Sequence, residues 1–212
     1  MEEEAFFLQK IPCTQLQDKK GLMLYPIFFI CCMAVLSASV SLPLEKIQDE
    51  RTWLEKNYLP ACSGRMLYIG VGSYTVNYPY YTQAPDLFET VDFLEERAKF
   101  GSPFKHYVTD ILLFHPEYLY DNVSFFGILG YPAEKYAPFT TNESINQVLE
   151  KIHTLVKVGG KLLVGANYYD REPYTINFWI KKIEEHYGEK YEIVSTNCSQ
   201  LSIIWLGKKI KE

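Results

Sequence analysis

At 212 residues the chain can hold one domain plus an extra segment, and its 48% hydrophobic share is that of a protein that buries a real core. A net charge of −5 with no basic block lacks the electrostatic footprint of a nucleic-acid binder. The five cysteines are odd in number and widely spaced, so no disulfide framework is indicated; no His/Cys group has zinc spacing, and no metal is expected. The 17 Tyr and 13 Phe read as partly exposed packing ahead of a pocket lining.

Residues 1–44 differ in kind from the rest. No charged residue occurs from Gly21 to Leu44, and Leu22 to Leu36 is strongly apolar. A spanning helix needs about 20 such residues. Lys19-Lys20 before the stretch and Glu45 after it favour a cytoplasmic N-terminus. The small residues Ser37-Ala-Ser-Val-Ser41 resemble a signal-peptide cleavage region, whereas the long leading segment with Glu2-Glu3-Glu4 does not. A signal anchor or cleaved signal, a segment docked on a soluble protein and an alternative start all stay open, and with them membrane-associated, cytoplasmic and secreted locations. Asn-x-Ser sequons stand at Asn122, Asn142 and Asn197, the first inside an expected buried strand.

From Glu45 to Tyr58 a helix is expected, with Leu44, Ile47, Leu54 and Tyr58 on one stripe and Pro60 as its stop. Met66–Gly70 reads as a buried parallel strand, followed by the loop Val71-Gly-Ser-Tyr-Thr75. Phe88–Asp92 and His106–Asp110 are strands that each end on an acid, separated by a short helix over 94–100. Asn122–Phe126 is a fourth strand, leading to Gly127 and Gly130. Thr141 or Asn142 caps a helix with apolar positions Ile145, Val148, Leu149, Ile152, Leu155 and Val156, closed by Gly159-Gly160. Lys161–Gly165 is the fifth strand. Pro173 opens a helix that buries Ile176, Trp179, Ile180, Ile183 and Tyr187. Tyr191–Thr196 and Leu201–Leu206 lie too close for a parallel crossover and must form an antiparallel hairpin. The alternation gives an α/β domain over 45–212 with a mostly parallel sheet of seven strands.

Ligands of such sheets bind past the carboxyl ends of the strands. There stand Gly70 and Gly72, whose lack of side chains lets a ligand approach the backbone. Asp92 follows Gly70 by 22 positions (92 − 70) and can accept both hydrogen bonds of a ribose diol. Asp110 sits where a carboxylate or its neighbouring amide meets an adenine edge. Each feature alone also reads as a tight turn or a turn former.

The ordered series Leu67-Tyr-Ile-Gly-Val-Gly-Ser, Thr90-Val-Asp-Phe, Thr109-Asp-Ile, Asn122-Val-Ser-Phe-Phe-Gly-Ile-Leu-Gly and Leu155-Val-Lys-Val-Gly-Gly-Lys-Leu-Leu-Val resembles the motifs of class I S-adenosylmethionine (SAM)-dependent methyltransferases. That resemblance covers about residues 45–212 and implies a Rossmann-like methyltransferase sandwich with a C-terminal antiparallel hairpin. It implies SAM as cofactor, held by Gly70, Gly72, Ser73, Asp92, Phe93, Asp110 and Ile111, with Phe126-Gly127 flanking the methionine portion. Two positions depart from the family pattern: Tyr68 stands where an acid is usual, and Tyr74-Thr75 replaces the third glycine.

If the domain is active, the acceptor pocket lies past strands four and five, near Tyr131, Asn167, Tyr168, Tyr169 and Asp170, with His115 or Asp170 to take a proton. No Asn-Pro-Pro-Tyr motif follows strand four, so base methylation of nucleic acid is not indicated and a small-molecule acceptor is expected. A fold that has lost catalysis and acts as a membrane-tethered interaction module is the alternative that Tyr68 and Tyr74 motivate. An NAD-type oxidoreductase is the other, motivated by Gly70, Gly72 and Asp92.

Overall fold

The computed structural model describes residues 44–47, 50–70, 87–93, 105–130, 139–168 and 174–212. All belong to one compact unit, Leu42–Glu212. Its centre is a sheet of eight strands: β1 (Glu45–Lys46), β2 (Met66–Ile69), β3 (Phe88–Asp92), β4 (Lys105–Val108), β5 (Tyr120–Leu129), β6 (Val156–Asn167), β7 (Tyr191–Cys198) and β8 (Ser202–Lys209). Their spatial order is β1-β7-β8-β6-β5-β2-β3-β4. Strands β2 to β6 run parallel, β8 runs antiparallel to β6, and β7 antiparallel to β8. The expected hairpin is therefore present and closes one side of the parallel sheet.

Two expectations are corrected. The helix does not begin at Glu45. Glu45 and Lys46 pair in parallel with Asn197 and Cys198, and the Ile47 amide donates to the Cys198 carbonyl at 2.7 Å. This eighth strand satisfies backbone groups at the β7 edge that would otherwise face outward. Helix α1 starts at Glu50 (Glu50–Trp53), widens into a π-helical turn over Leu54–Tyr58 and ends as a 3₁₀ turn over Leu59–Ala61. Pro60 is tolerated inside that last turn because the first amides of a helical turn need no partner.

Nor does Gly159-Gly160 end a helix. Helix α2 (Asn142–Thr154) stops at Leu155, and residues 156–160 already belong to β6. Val156 pairs with Tyr120 and Lys161 with Asn122, so the intervening residues bulge out of the ladder. Gly159 sits there at φ +85°, a conformation that glycine adopts without strain.

Two apolar layers cover the sheet. On one face α2 places Ile145, Val148, Leu149 and Ile152, and α3 (Ile176–Tyr187) places Trp179, Ile183 and Tyr187, against Leu67, Ile69, Val123, Phe125, Leu162, Val164 and Trp205. A capping box of Thr141 with Ser144 begins α2, and Thr175 caps α3 through the Phe178 amide at 3.2 Å. On the other face Leu54, Tyr58 and Leu59 of the α1 segment pack on Met66, Tyr68, Phe88, Phe126, Leu163, Ile204 and Leu206.

Two sequons lie in this packed sheet. Asn122 and Asn197 are buried, and the Asn122 amide donates to the Ser63 carbonyl at 2.6 Å, whereas Asn142 is exposed at the start of α2. Among the described residues no helix is long and apolar enough to cross a membrane. The apolar stretch 21–43 and the expected helix 94–100 lie outside the described residues.

Candidate functional site

The parallel strands β2, β3, β4 and β5 end on one edge of the sheet, and that edge gathers most of the predicted cofactor residues. Gly70 follows β2 at φ +77°, its amide donating to the Val91 carbonyl at 2.9 Å. Ile128 stands against its Cα: a Cβ on Gly70 would meet Ile128 Cδ1 at 2.4 Å. Glycine is thus required here by backbone conformation and packing together. Asp92 ends β3 and is 5% exposed, and its carbonyl accepts from the Thr109 amide at 3.0 Å, which ties the ends of β3 and β4 together. Phe93 beyond it is exposed.

Asp110 and Ile111 divide between roles. The Asp110 carboxylate accepts from the Leu112 amide at 2.9 Å and caps the 3₁₀ turn Ile111–Leu113. The Ile111 side chain points into the core. Phe126 is buried on the α1 face, its ring pressed on Gly165, where a Cβ would meet it at 2.1 Å. Gly127 next to it differs from Gly70. It also has a positive φ, +76°, yet among the described residues nothing lies within 4 Å of where its Cβ would be. Among the described residues, none covers this position near the end of β5. Gly72 and Ser73 lie outside the described residues.

One histidine borders this edge. His106 on β4 is paired with Thr90 on β3, Nδ1 2.6 Å from the threonine Oγ1. Its Nε2 is buried with no hydrogen-bond partner among the described residues. Burial lowers its pKa, and the nearby Asp92 charge acts in the opposite sense.

The acceptor-side residues are only partly brought together. Asn167 ends β6 and Tyr168 follows it, but both turn towards β8 and the loop before it. The Tyr168 hydroxyl donates to the Ser199 carbonyl at 2.6 Å, and Asn167 meets Ser202 at 2.9 Å. His115 is not at this edge: its Nδ1 lies 3.4 Å from Lys151 Nζ, near the C-terminal end of α2, where the Leu155 carbonyl meets the start of β5. A helix that returns antiparallel to the strands carries its last turn to the opposite edge, so His115 cannot serve the acceptor pocket. Tyr131, Tyr169 and Asp170 lie outside the described residues.

Sequence reading missed a polar cluster at that opposite edge. Glu89, 2% exposed, accepts from the hydroxyls of Tyr118 and Tyr120, the latter at 2.5 Å, and from Tyr107 at 3.5 Å. Arg65 and Lys105 approach it at 3.4 and 3.7 Å, and the Arg65 guanidinium lies over the Tyr118 ring. Burial and then the Glu89 charge push the Tyr120 phenol far up. The signal was available: a Glu inside the apolar run Phe88–Val91 requires partners, because a buried charge is costly without them.

The strand order and the reversed β8 give the chain the fold of class I SAM-dependent methyltransferases. Solved structures agree. The N-methyltransferase NodS from Bradyrhizobium japonicum WM9 superposes with a TM-score of 0.55 at 15% identity, over 76% of this chain and 94% of its own. The 1,6-didemethyltoxoflavin-N1-methyltransferase of Burkholderia thailandensis, solved with 1,6-didemethyltoxoflavin and S-adenosylhomocysteine, matches with a TM-score of 0.52 at 13% identity, over 70% of this chain and 72% of its own. The SAM-dependent methyltransferase SibL matches with a TM-score of 0.54 at 15% identity, over 76% of this chain and 55% of its own. At the level of sequence no family model and no curated protein matches.

Proposed function

We propose that this chain is a SAM-dependent methyltransferase acting on a small-molecule acceptor. The observation that carries the reading is the convergence of Gly70, Asp92, Asp110 and Gly127 on one edge of a sheet with this strand order, with none of the described residues covering Gly127. Asp92 is suited to a ribose diol, since one carboxylate accepts two hydrogen bonds at once. The Asp110–Ile111 turn offers a backbone edge to adenine, and Phe126-Gly127 would flank the methionine portion. Gly72 and Ser73 would complete the cradle. Bound there, SAM supplies an activated methyl group; the chain's own task is to hold donor and acceptor in line and to keep water out. Related folds have been solved with S-adenosylhomocysteine bound, among them NodS. Calorimetry on the full chain with SAM and S-adenosylhomocysteine tests the reading; no heat of binding at millimolar ligand sinks it.

A second reading has its own support. Tyr68, at the position of the family's usual acid, is 1% exposed within the α1-side apolar cluster, and Ile128 closes over Gly70. These features fit a methyltransferase fold retained as an interaction module, and any SAM turnover by the purified chain rules that out. The NAD-type alternative loses ground to the antiparallel β8, where a dinucleotide domain continues in parallel. We further propose that residues 1–44 form a separate tail whose apolar stretch attaches the 45–212 domain to a membrane. Protease protection of the C-terminus in microsomes reads both insertion and orientation.

A further inference from the structure

Strands β5, β2 and β3 lie side by side, and the crevice at their carboxyl ends is the switch point of the sheet. From β2 the chain passes to β3 and β4 on one side and returns to β5 on the other. Ile69 pairs with Phe125 and with Val91, so the row beyond it is Phe126, Gly70 and Asp92. Past Phe125 the pairing of β5 with β6 shifts: Phe125 opposes Val164 and Leu129 opposes Ala166. Phe126, Gly127 and Ile128 thus stand against Gly165 alone and leave the regular ladder. The Phe126 ring presses on Gly165, and Gly127 turns the backbone at φ +76°. Ile128 then leans over the end of β2 onto Gly70. A Cβ on Gly70 would lie 2.4 Å from Ile128 Cδ1 and 2.5 Å from its Cγ1. Ile128 itself is half-buried, and a β-branched side chain packed on backbone has little freedom to turn away.

Resting on the methyltransferase reading above, we infer that Ile128 is a specificity-determining residue for the group carried on the cofactor's sulfur. In that reading the ribose lies at Asp92 on β3 and the methionine portion at Phe126-Gly127 on β5. The sulfur joins these two portions. β2 runs between β3 and β5, about 4.8 Å from each, so the sulfur falls over the end of β2. That is where the Ile128 side chain meets Gly70. An apolar wall suits this place, because it offers the sulfonium no nucleophile. Its fixed bulk admits a methyl and turns away a longer alkyl group. The glycine at position 70 serves the same end: any side chain there would drive Ile128 out of its seat and into the crevice.

Two measurements on the full chain test this. The first needs no ligand. Gly70→Ala is expected to lower the urea midpoint in the wild type, and to lower it by half as much or less in an Ile128→Ala background, where only the positive φ remains to be strained. Equal losses in the two backgrounds overturn the Ile128–Gly70 contact whether or not SAM binds. The second is calorimetry with SAM and with S-adenosyl-L-ethionine, which carries ethyl in place of methyl. The wild type should bind SAM at least about tenfold more tightly, as one excess methylene against a fixed apolar wall requires. Ile128→Ala should bring the two ligands within about threefold, and Ile128→Val, which removes only Cδ1, should fall between. Asp92→Ala should weaken both ligands and leave their ratio unchanged. A wild type that does not discriminate, a ratio unmoved by Ile128→Ala, or a ratio moved as far by Asp92→Ala overturns the inference while SAM binding stands. Failure of both ligands to bind any variant removes the methyltransferase reading and the inference with it, and the urea midpoints tell that outcome from a misfolded chain.

Discussion

Two buried carboxylates stand three positions apart on β3, one near each end of the strand. Glu89 faces the α2–α3 side near the start of the strand, within reach of three tyrosine hydroxyls, a guanidinium and an ammonium. Asp92 faces the other side at the strand's carboxyl end, next to the loop edge where Gly70 and Gly127 lie. The first is tied to side chains from four other segments on its side of the sheet. The second stands where the parallel strands stop. On the proposed function the sheet has a locked edge and a receptive edge, the same residue chemistry serving stability at one and recognition at the other.

The largest expected effect belongs to the locked edge. Glu89→Ala leaves the Arg65 charge and buried tyrosine hydroxyls without their acceptor, and should cost about 3–4 kcal/mol of folding stability. Urea denaturation reads it. SAM affinity of the folded variant should stay within twofold; a large loss of affinity would break the separation of the two edges. Asp92→Ala should act on SAM affinity. Losing two charge-assisted bonds to a ribose should weaken SAM by roughly 2 kcal/mol, about thirtyfold by calorimetry. An Asp92 variant that unfolds but binds normally would make it a second structural carboxylate.

The locked edge also carries a pH dependence. His153, at the end of α2, is buried beside Lys209 and Lys190, and burial first, then those charges, push its imidazole down to about 4. Its unfolded value is near 6.5. Between those values the unfolded chain binds a proton that the folded chain does not, so this contribution to stability is present above pH 6.5 and lost as pH falls towards 4. His106 and His186 are lowered as well and act in the same sense. His153→Gln should therefore flatten the slope of unfolding free energy against pH over that window without abolishing it. An unchanged slope would exclude His153 as a contributor.

The contrast between edges explains what could be read in advance. The parallel strands and the hairpin were legible because buried strands are continuous apolar runs bounded by glycines and acids, and because Tyr191–Thr196 and Leu201–Leu206 are too close to cross over. Asp92 was legible as a strand-end acid. The Glu89 cluster was not, since its partners come from positions 65, 105, 107, 118 and 120, and only sheet register brings them together. Glu45–Lys46 read as helix because its charges fit an amphipathic stripe; the β7 edge, unknown from local pattern, overrode that. Likewise Asn167 was placed at the right edge, but its bond to Ser202 depends on the antiparallel register of β6 with β8.

The smallest effect is the sharpest test of the receptive edge. Gly127 and Gly70 share a positive φ, so alanine at either strains the backbone by about 1 kcal/mol. They differ in what the new methyl meets. At Gly70 it collides with Ile128, and at Gly127 it meets none of the described residues. Gly127→Ala should therefore lose about 1 kcal/mol of stability from strain alone, and Gly70→Ala distinctly more. If the space beside Gly127 belongs to the methionine portion of SAM, the same methyl obstructs the ligand, and SAM affinity should fall further than stability does. Equal affinity in wild type and Gly127→Ala would place the ligand elsewhere along the edge and leave the glycine as a requirement of the register shift between Phe125 and Leu129 in β5.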